Sequence, residues 1–140
     1  MNINNSNLIF GNGDWMVVEA DESDGSFLIL PSEISIITNI DNDHLDYYKS
    51  MKLLKDAFIK YANNTPENGC LIVCIDDEGV QSILNDIKVK RLISYGFSEK
   101  ANYQVSFIKT TLLGSIFSVK CNLPDTYLDC LLYTSDAADE

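Results

Sequence analysis

Two apolar runs, each ending on a burst of polar side chains, set the limits on what this chain can fold into. Trp15-Met16-Val17-Val18 leads into Glu19-Ala20-Asp21-Glu22-Ser23-Asp24-Gly25-Ser26-Phe27, and Ile34-Ser35-Ile36-Ile37-Thr38 leads into Asn39-Ile40-Asp41-Asn42-Asp43-His44. A continuous β-branched run such as residues 34–38 reads as a strand covered on both faces, as in the parallel sheets of α/β proteins. In such sheets binding groups collect past the C-terminal ends of the strands, which is where both polar clusters fall.

The rest of the chain continues the alternation. Met51, Leu54, Phe58 and Tyr61 recur at helical spacing with Pro66 just beyond, which predicts a helix over 50–62 whose stripe faces the core. Leu71 to Ile75 reads as a strand, Asp76-Asp77-Glu78 leads into a short helix carrying Val80, Ile83, Leu84 and Ile87, and Arg91 to Phe97 reads as a further strand. Strand and helix in alternation imply parallel pairing with right-handed crossovers. Beyond Asn102, Tyr103 to Lys109 and Ser115 to Cys121 flank Gly114 and predict an antiparallel hairpin. At the N-terminus, Leu8-Ile9-Phe10 and Trp15 to Val18 flank Gly11-Asn12-Gly13-Asp14, which predicts another. Gly11-x-Gly13 lacks the third glycine and the following helix of a dinucleotide loop, so the tight turn is the better reading. The expected fold class is α/β, a mostly parallel sheet with flanking helices plus a C-terminal antiparallel hairpin.

Composition narrows the function. The 140 residues suit one domain, and 46% hydrophobic with 22% charged residues is a globular balance. With 21 acidic against 10 basic residues the net charge is −11. Such a surface repels phosphate backbones, so no nucleic-acid partner is expected, while divalent cations are compatible with it. No apolar stretch is long enough to span a membrane, and no basic-then-apolar leader opens the chain, so membrane insertion is not expected. Cys70, Cys74, Cys121 and Cys130 form no Cys-x-x-Cys pair and read as reduced thiols of a cytoplasmic protein.

Glu19 and His44 stand 25 positions apart, each past its own apolar run. If those strands are neighbours, a carboxylate and an imidazole meet at one rim of the sheet. Carboxylate oxygen suits Mg²⁺, whose shell also keeps waters and substrate phosphates. Imidazole is less usual there, so His44 reads equally as a proton shuttle, a phosphate contact or a merely structural residue. It is the sole histidine, which excludes a multi-histidine zinc site. Asp21, Glu22 and Asp24 crowd one loop rather than flanking a cleft, which argues against glycosidase chemistry.

Four segments in order, EADESDGSF, TNIDNDHLDYY, KDAFIKYANNTPENG and SYGF, resemble the central domain of the Mur ligases, and the likeness covers residues 8–129. The resemblance implies a P-loop-type ATP-binding domain, here incomplete, of a cytoplasmic bacterial enzyme of peptidoglycan precursor synthesis. Ser23-Asp24-Gly25-Ser26 sets the chain apart from murein peptide ligases and implies UDP-N-acetylmuramate and L-alanine as substrates of the complete enzyme, joined at the expense of ATP. By the same resemblance Glu19 corresponds to the glutamate that binds Mg²⁺ between the terminal phosphates. His44 corresponds to the histidine associated with a second Mg²⁺ near the γ-phosphate and the substrate carboxylate. Asn39 and Asp43 lie near enough in sequence to orient that shell.

The 140 residues contain no G-x-x-x-x-G-K-[ST] phosphate loop, so ligase activity is not expected of them alone. Residues 130–140, CLLYTSDAADE, resemble the translation of a transposase adapter used in sequencing libraries, which leaves 1–129 as the expected domain. Two readings from other classes stand beside the ligase: a non-catalytic Mg²⁺ or nucleotide-binding module, and an α/β domain whose polar loops are only solvated turns.

Overall fold

The computed structural model describes residues 11–111, 114–124 and 129–134. Their order is a 3-10 turn at Ser26–Ile29, β1 (Ile34–Ile37), α1 (Leu45–Tyr48), α2 (Met51–Asn63), β2 (Cys70–Cys74), α3 (Glu78–Ile83), a second 3-10 turn at Leu84–Asp86, β3 (Leu92–Gly96), β4 (Tyr103–Thr111), β5 (Gly114–Cys121) and β6 (Asp129–Thr134). The strands form one six-stranded sheet in sequence order. β1 to β4 pair in parallel, and β4, β5 and β6 pair antiparallel. The α/β class is therefore as expected. The C-terminal hairpin is not a separate unit, because Tyr95 pairs with Tyr103 and Gly96 with Gln104, joining it to the parallel sheet.

The two longer helices, α2 and α3, each begin where a side chain satisfies free backbone donors. Ser50 accepts from the Leu53 N–H and starts α2 one residue after Lys49, whose left-handed φ of 67° ends α1. Asp77 does the same for α3 by accepting from the Val80 N–H. The stripe expected on α2 points inward: Leu54 is buried, and Met51, Phe58 and Tyr61 pack against the core. Phe27 enters from the preceding loop and sits against Phe58 and Tyr61 with ring centroids 5.3 and 5.1 Å away. Ile37, Leu71 and Val73 supply the sheet side of this core, and Val80 and Ile83 the α3 side. Ser35 is buried on that face too, within a hydroxyl chain to Ser32 and Thr65 that leaves no polar group unmatched.

Two expectations fail for the same reason, a missing partner among the described residues. Trp15 to Val18 form no strand and stay exposed, because a strand exists only through its ladder and no described segment pairs with them. Leu8 to Phe10, the other arm of the expected hairpin, lie outside the described residues. β1 was expected to be covered on both faces, yet Ile34 and Ile36 are 47% and 55% exposed while Ile37 is 2% exposed. The sheet order explains this. β1, β2 and β3 are laid down in one direction, so right-handed crossovers place α2 and α3 on the same face.

Cys70 and Cys121 are buried free thiols and Cys74 is a half-buried one, with no disulfide among the described residues. No described helix is long and apolar enough to cross a membrane.

Candidate active site

The segment Asp21–Phe27 is folded by its own aspartates. Asp21 Oδ1 accepts the Ser23 N–H at 2.8 Å and Asp24 Oδ1 accepts the Ser26 N–H at 2.8 Å, two successive turns of the Asx type. The backbone and hydroxyl donors of Ser23 hold the Asp21 carboxyl below the ordinary aspartate range, and the hydroxyl and backbone donors of Ser26 do the same for Asp24. Gly25 adopts a φ of 74°, and this left-handed backbone favours glycine; a Cβ there would also stand 2.9 Å from the hydroxyl of the exposed Tyr47 side chain.

The loop after β1 is braced in a similar way. The Thr38 hydroxyl donates to Asn39 Oδ1, the Asn39 amide donates to Asp41 Oδ2 at 2.7 Å, and the Ile40 N–H donates to Asp77 Oδ1 at 3.2 Å. His44 ends the loop in the left-handed region, at φ 57°, and its carbonyl accepts the N–H groups of Tyr47 and Tyr48. A non-glycine residue there is uncommon and fixes the direction in which the side chain leaves the backbone.

The two polar clusters meet. The Tyr48 hydroxyl donates to the Glu22 carbonyl at 2.5 Å, and His44 Nε2 lies 3.6 Å from Glu22 Oε1. Burial, followed by the neighbouring Tyr47 and the acids Glu22, Asp24 and Asp21, pushes the Tyr48 phenol above the ordinary tyrosine range. The His44–Glu22 pair is about 40% exposed on each side, so by itself it adds little stability.

Of the residues singled out in the sequence, His44 is at this junction, and its partner is Glu22 rather than Glu19. Glu19 is exposed and makes no hydrogen bond or ion pair among the described residues. Asp43 is likewise exposed and without such a contact among them, and Asn39 uses its amide inside its own loop. Among the described residues no three His, Cys, Asp or Glu side chains stand together as a metal-holding group, which does not suit a closed protein cage. The donors present, carboxylate oxygens with one imidazole, do fit a cation that takes one or two protein ligands and fills its shell with phosphate oxygens and water.

Sequence reasoning missed a second feature of the rim. An open cleft of about 690 Å³ lies past the C-terminal ends of β1 and β2, lined among others by Asp41, Asn42, Lys55, Glu78 and Ser82. Lys55 reaches it from α2, and only the fold shows that, since nothing distinguishes it from other helix-surface lysines. Asp76 and Asp77 close the cleft floor as structural ties. Asp77 reaches back to Ile40, while Asp76 reaches forward to accept the Phe97 and Ser98 N–H groups at 2.5 and 3.1 Å.

A sheet with polar loops braced at the C-terminal ends of its parallel strands is the architecture of an α/β domain, the class in which ligands gather at that rim. Comparison with known proteins specifies it further. Residues 11–127 match the Mur ligase middle domain, and the chain belongs to the Mur ligase family. It is 44% identical over 114 residues to the UDP-N-acetylmuramate--L-alanine ligase of Syntrophobacter fumaroxidans, covering 81% of this chain and 24% of that one. It is 50% identical over 104 residues to the corresponding ligase of Anaeromyxobacter dehalogenans, covering 74% and 22%. The chain thus spans about a quarter of the length of the curated relatives it matches. Two solved structures share the fold. MurF from Acinetobacter baumannii aligns with a TM-score of 0.60 at 18% identity, over 81% of this chain and 24% of that one. MurF ligase from Thermotoga maritima in complex with ADP aligns with a TM-score of 0.54 at 12% identity, over 74% and 23%.

Proposed function

We propose that this chain supplies the central part of a cytoplasmic ATP-dependent ligase that joins L-alanine to UDP-N-acetylmuramate in peptidoglycan precursor synthesis. The observation that carries the reading is the union of two acidic loops at the sheet's C-terminal rim, in a chain 44% identical to a relative of that name. In this reading the muramate carboxylate attacks the γ-phosphorus of ATP and ADP departs. The alanine amine then attacks the acyl carbon and phosphate leaves. Both steps bring anions together, so positioning and charge neutralisation carry the catalysis. Mg²⁺, when bound, would supply that neutralisation, Glu19 holding one ion and His44 a second, with Asn39 and Asp43 near enough to orient the shell and Asn39 bracing the loop that presents His44. Asn39 suits that task, because its amide already spans Thr38 and Asp41.

The test is a chimera. Residues 11–127 replace the matching segment of the Syntrophobacter fumaroxidans ligase, and alanine-dependent release of ADP and phosphate is followed. The chimera is expected to turn over, the isolated 140-residue chain is not, and Glu19→Ala or His44→Ala in the chimera is expected to lower kcat by at least about 100-fold. A folded but inert chimera, or unchanged turnover in Glu19→Ala, overturns the reading.

A further inference from the structure

From Thr38 to His44 the chain is exposed at every residue except Ile40, which is 3% exposed and packs in the core. The Ile40 N–H donates to Asp77 Oδ1 at 3.2 Å, and the same oxygen accepts the Val80 N–H at 2.7 Å. One half-buried carboxylate thus joins the loop after β1 to the first turn of α3. The two meet closely at Gly79 as well, where a Cβ would stand 2.3 Å from the Ile40 carbonyl oxygen. Asp76, the adjacent aspartate, turns the other way and accepts the Phe97 and Ser98 N–H groups beyond β3. The two aspartates tie opposite neighbours to β2, and Asp77 is the one that reaches the loop after β1.

We propose that Asp77 is a positioning residue for that loop: by holding the Ile40 N–H it fixes the middle of the segment that carries Asn39, Asp43 and His44. The proposal rests on the ligase reading only for what those side chains are presented to. A helix cap needs an acceptor that reaches the N–H two or three residues on, and serine does that about as well as aspartate. Holding Ile40 at the same time, 37 positions away in sequence, takes the longer arm of a carboxylate or carboxamide.

Three variants separate cap from tie. Asp77→Asn keeps both bonds, Asp77→Ser keeps the cap and loses the reach to Ile40, and Asp77→Ala loses both. Backbone amide shifts and hydrogen exchange of the whole 140-residue chain are followed in each. In Asp77→Ser the amides of residues 39–44 are expected to move and that of Ile40 to lose protection, while the α3 amides stay protected. Asp77→Asn is expected to match the native chain. Asp77→Ser and Asp77→Asn serve if Asp77→Ala unfolds. An Ile40 amide as protected in folded Asp77→Ser as in the native chain, or shifts confined to α3, overturn the proposal.

The chimera with the Syntrophobacter fumaroxidans ligase provides the second arm. There Asp77→Ser is expected to lower kcat at least about tenfold, because a displaced loop costs rate without costing the fold. Asp77→Asn is expected to keep most of the rate. Full turnover in Asp77→Ser overturns the positioning role. An inert chimera counts against the ligase reading, and the amide shifts and exchange of the 140-residue chain then decide the proposal.

Discussion

The Tyr48 phenol stands 2.5 Å from the Glu22 carbonyl, and this contact spans 26 positions of sequence to lock the two acidic loops into one unit. Tyr48 is 7% exposed, and Tyr47 beside it packs edge-on to its ring at 4.9 Å. Removing the hydroxyl leaves the carbonyl with the Gly25 N–H alone.

Tyr48→Phe is accordingly expected to cost about 1 kcal/mol of unfolding free energy, read as a lower urea midpoint at unchanged slope. The same contact gives a pH signature. Burial raises the Tyr48 phenol above its unfolded value, so folding favours the protonated form. That contribution is complete below the ordinary tyrosine range near 10 and is lost as pH rises through the higher folded value. Burial raises the Tyr95 phenol as well, so tyrosinate absorbance should show two late-titrating phenols, of which Tyr48→Phe deletes one. Equal alkaline stability of the two proteins would contradict the assignment.

A second prediction turns on sign. In an exposed helix, replacing glycine by alanine ordinarily gains about 1 kcal/mol. Gly79 lies in the first turn of α3, but a Cβ there would stand 2.3 Å from the Ile40 carbonyl oxygen and 2.9 Å from Ile40 Cβ. Backbone cannot yield as a flexible side chain can, and the loop is pinned there by Asp77. Gly79→Ala should therefore destabilise by about 1–3 kcal/mol, as overpacking does. A gain in melting temperature would show that the Ile40–Asp77 tie is looser than described.

The sequence carried the sheet well and the site only partly. β1, β2, β3 and the helix stripe of α2 were legible because short apolar runs such as Ile34 to Ile37 and Cys70 to Cys74 read as strands and the spacing of Leu54 and Phe58 reads as a helix. The left-handed turn at His44 and the short α1 behind it were not, since four residues are too few for a helical period. Strand runs also say nothing about which side a crossover takes, so the bare face of β1 followed only from the strand order. Glu22 was passed over within a crowd of acids. What singles it out is its contact with Tyr48 and His44, set by tertiary packing rather than by local pattern.

The bare face of β1 gives the last prediction. Ile36 and Ile37 are adjacent and chemically identical, yet one is 55% and the other 2% exposed. On the covered face, Ile37→Ala removes buried methyls from contact with the core of α2 and α3 and should cost about 2–5 kcal/mol. On the open face, Ile36→Lys should change stability by no more than about 0.5 kcal/mol. It should also raise solubility, because β1 ends the sheet among the described residues and an apolar strand edge invites pairing with other chains. Denaturation midpoints and light scattering across a concentration series check both halves. A cost of several kcal/mol for Ile36→Lys would mean that something covers this face in solution.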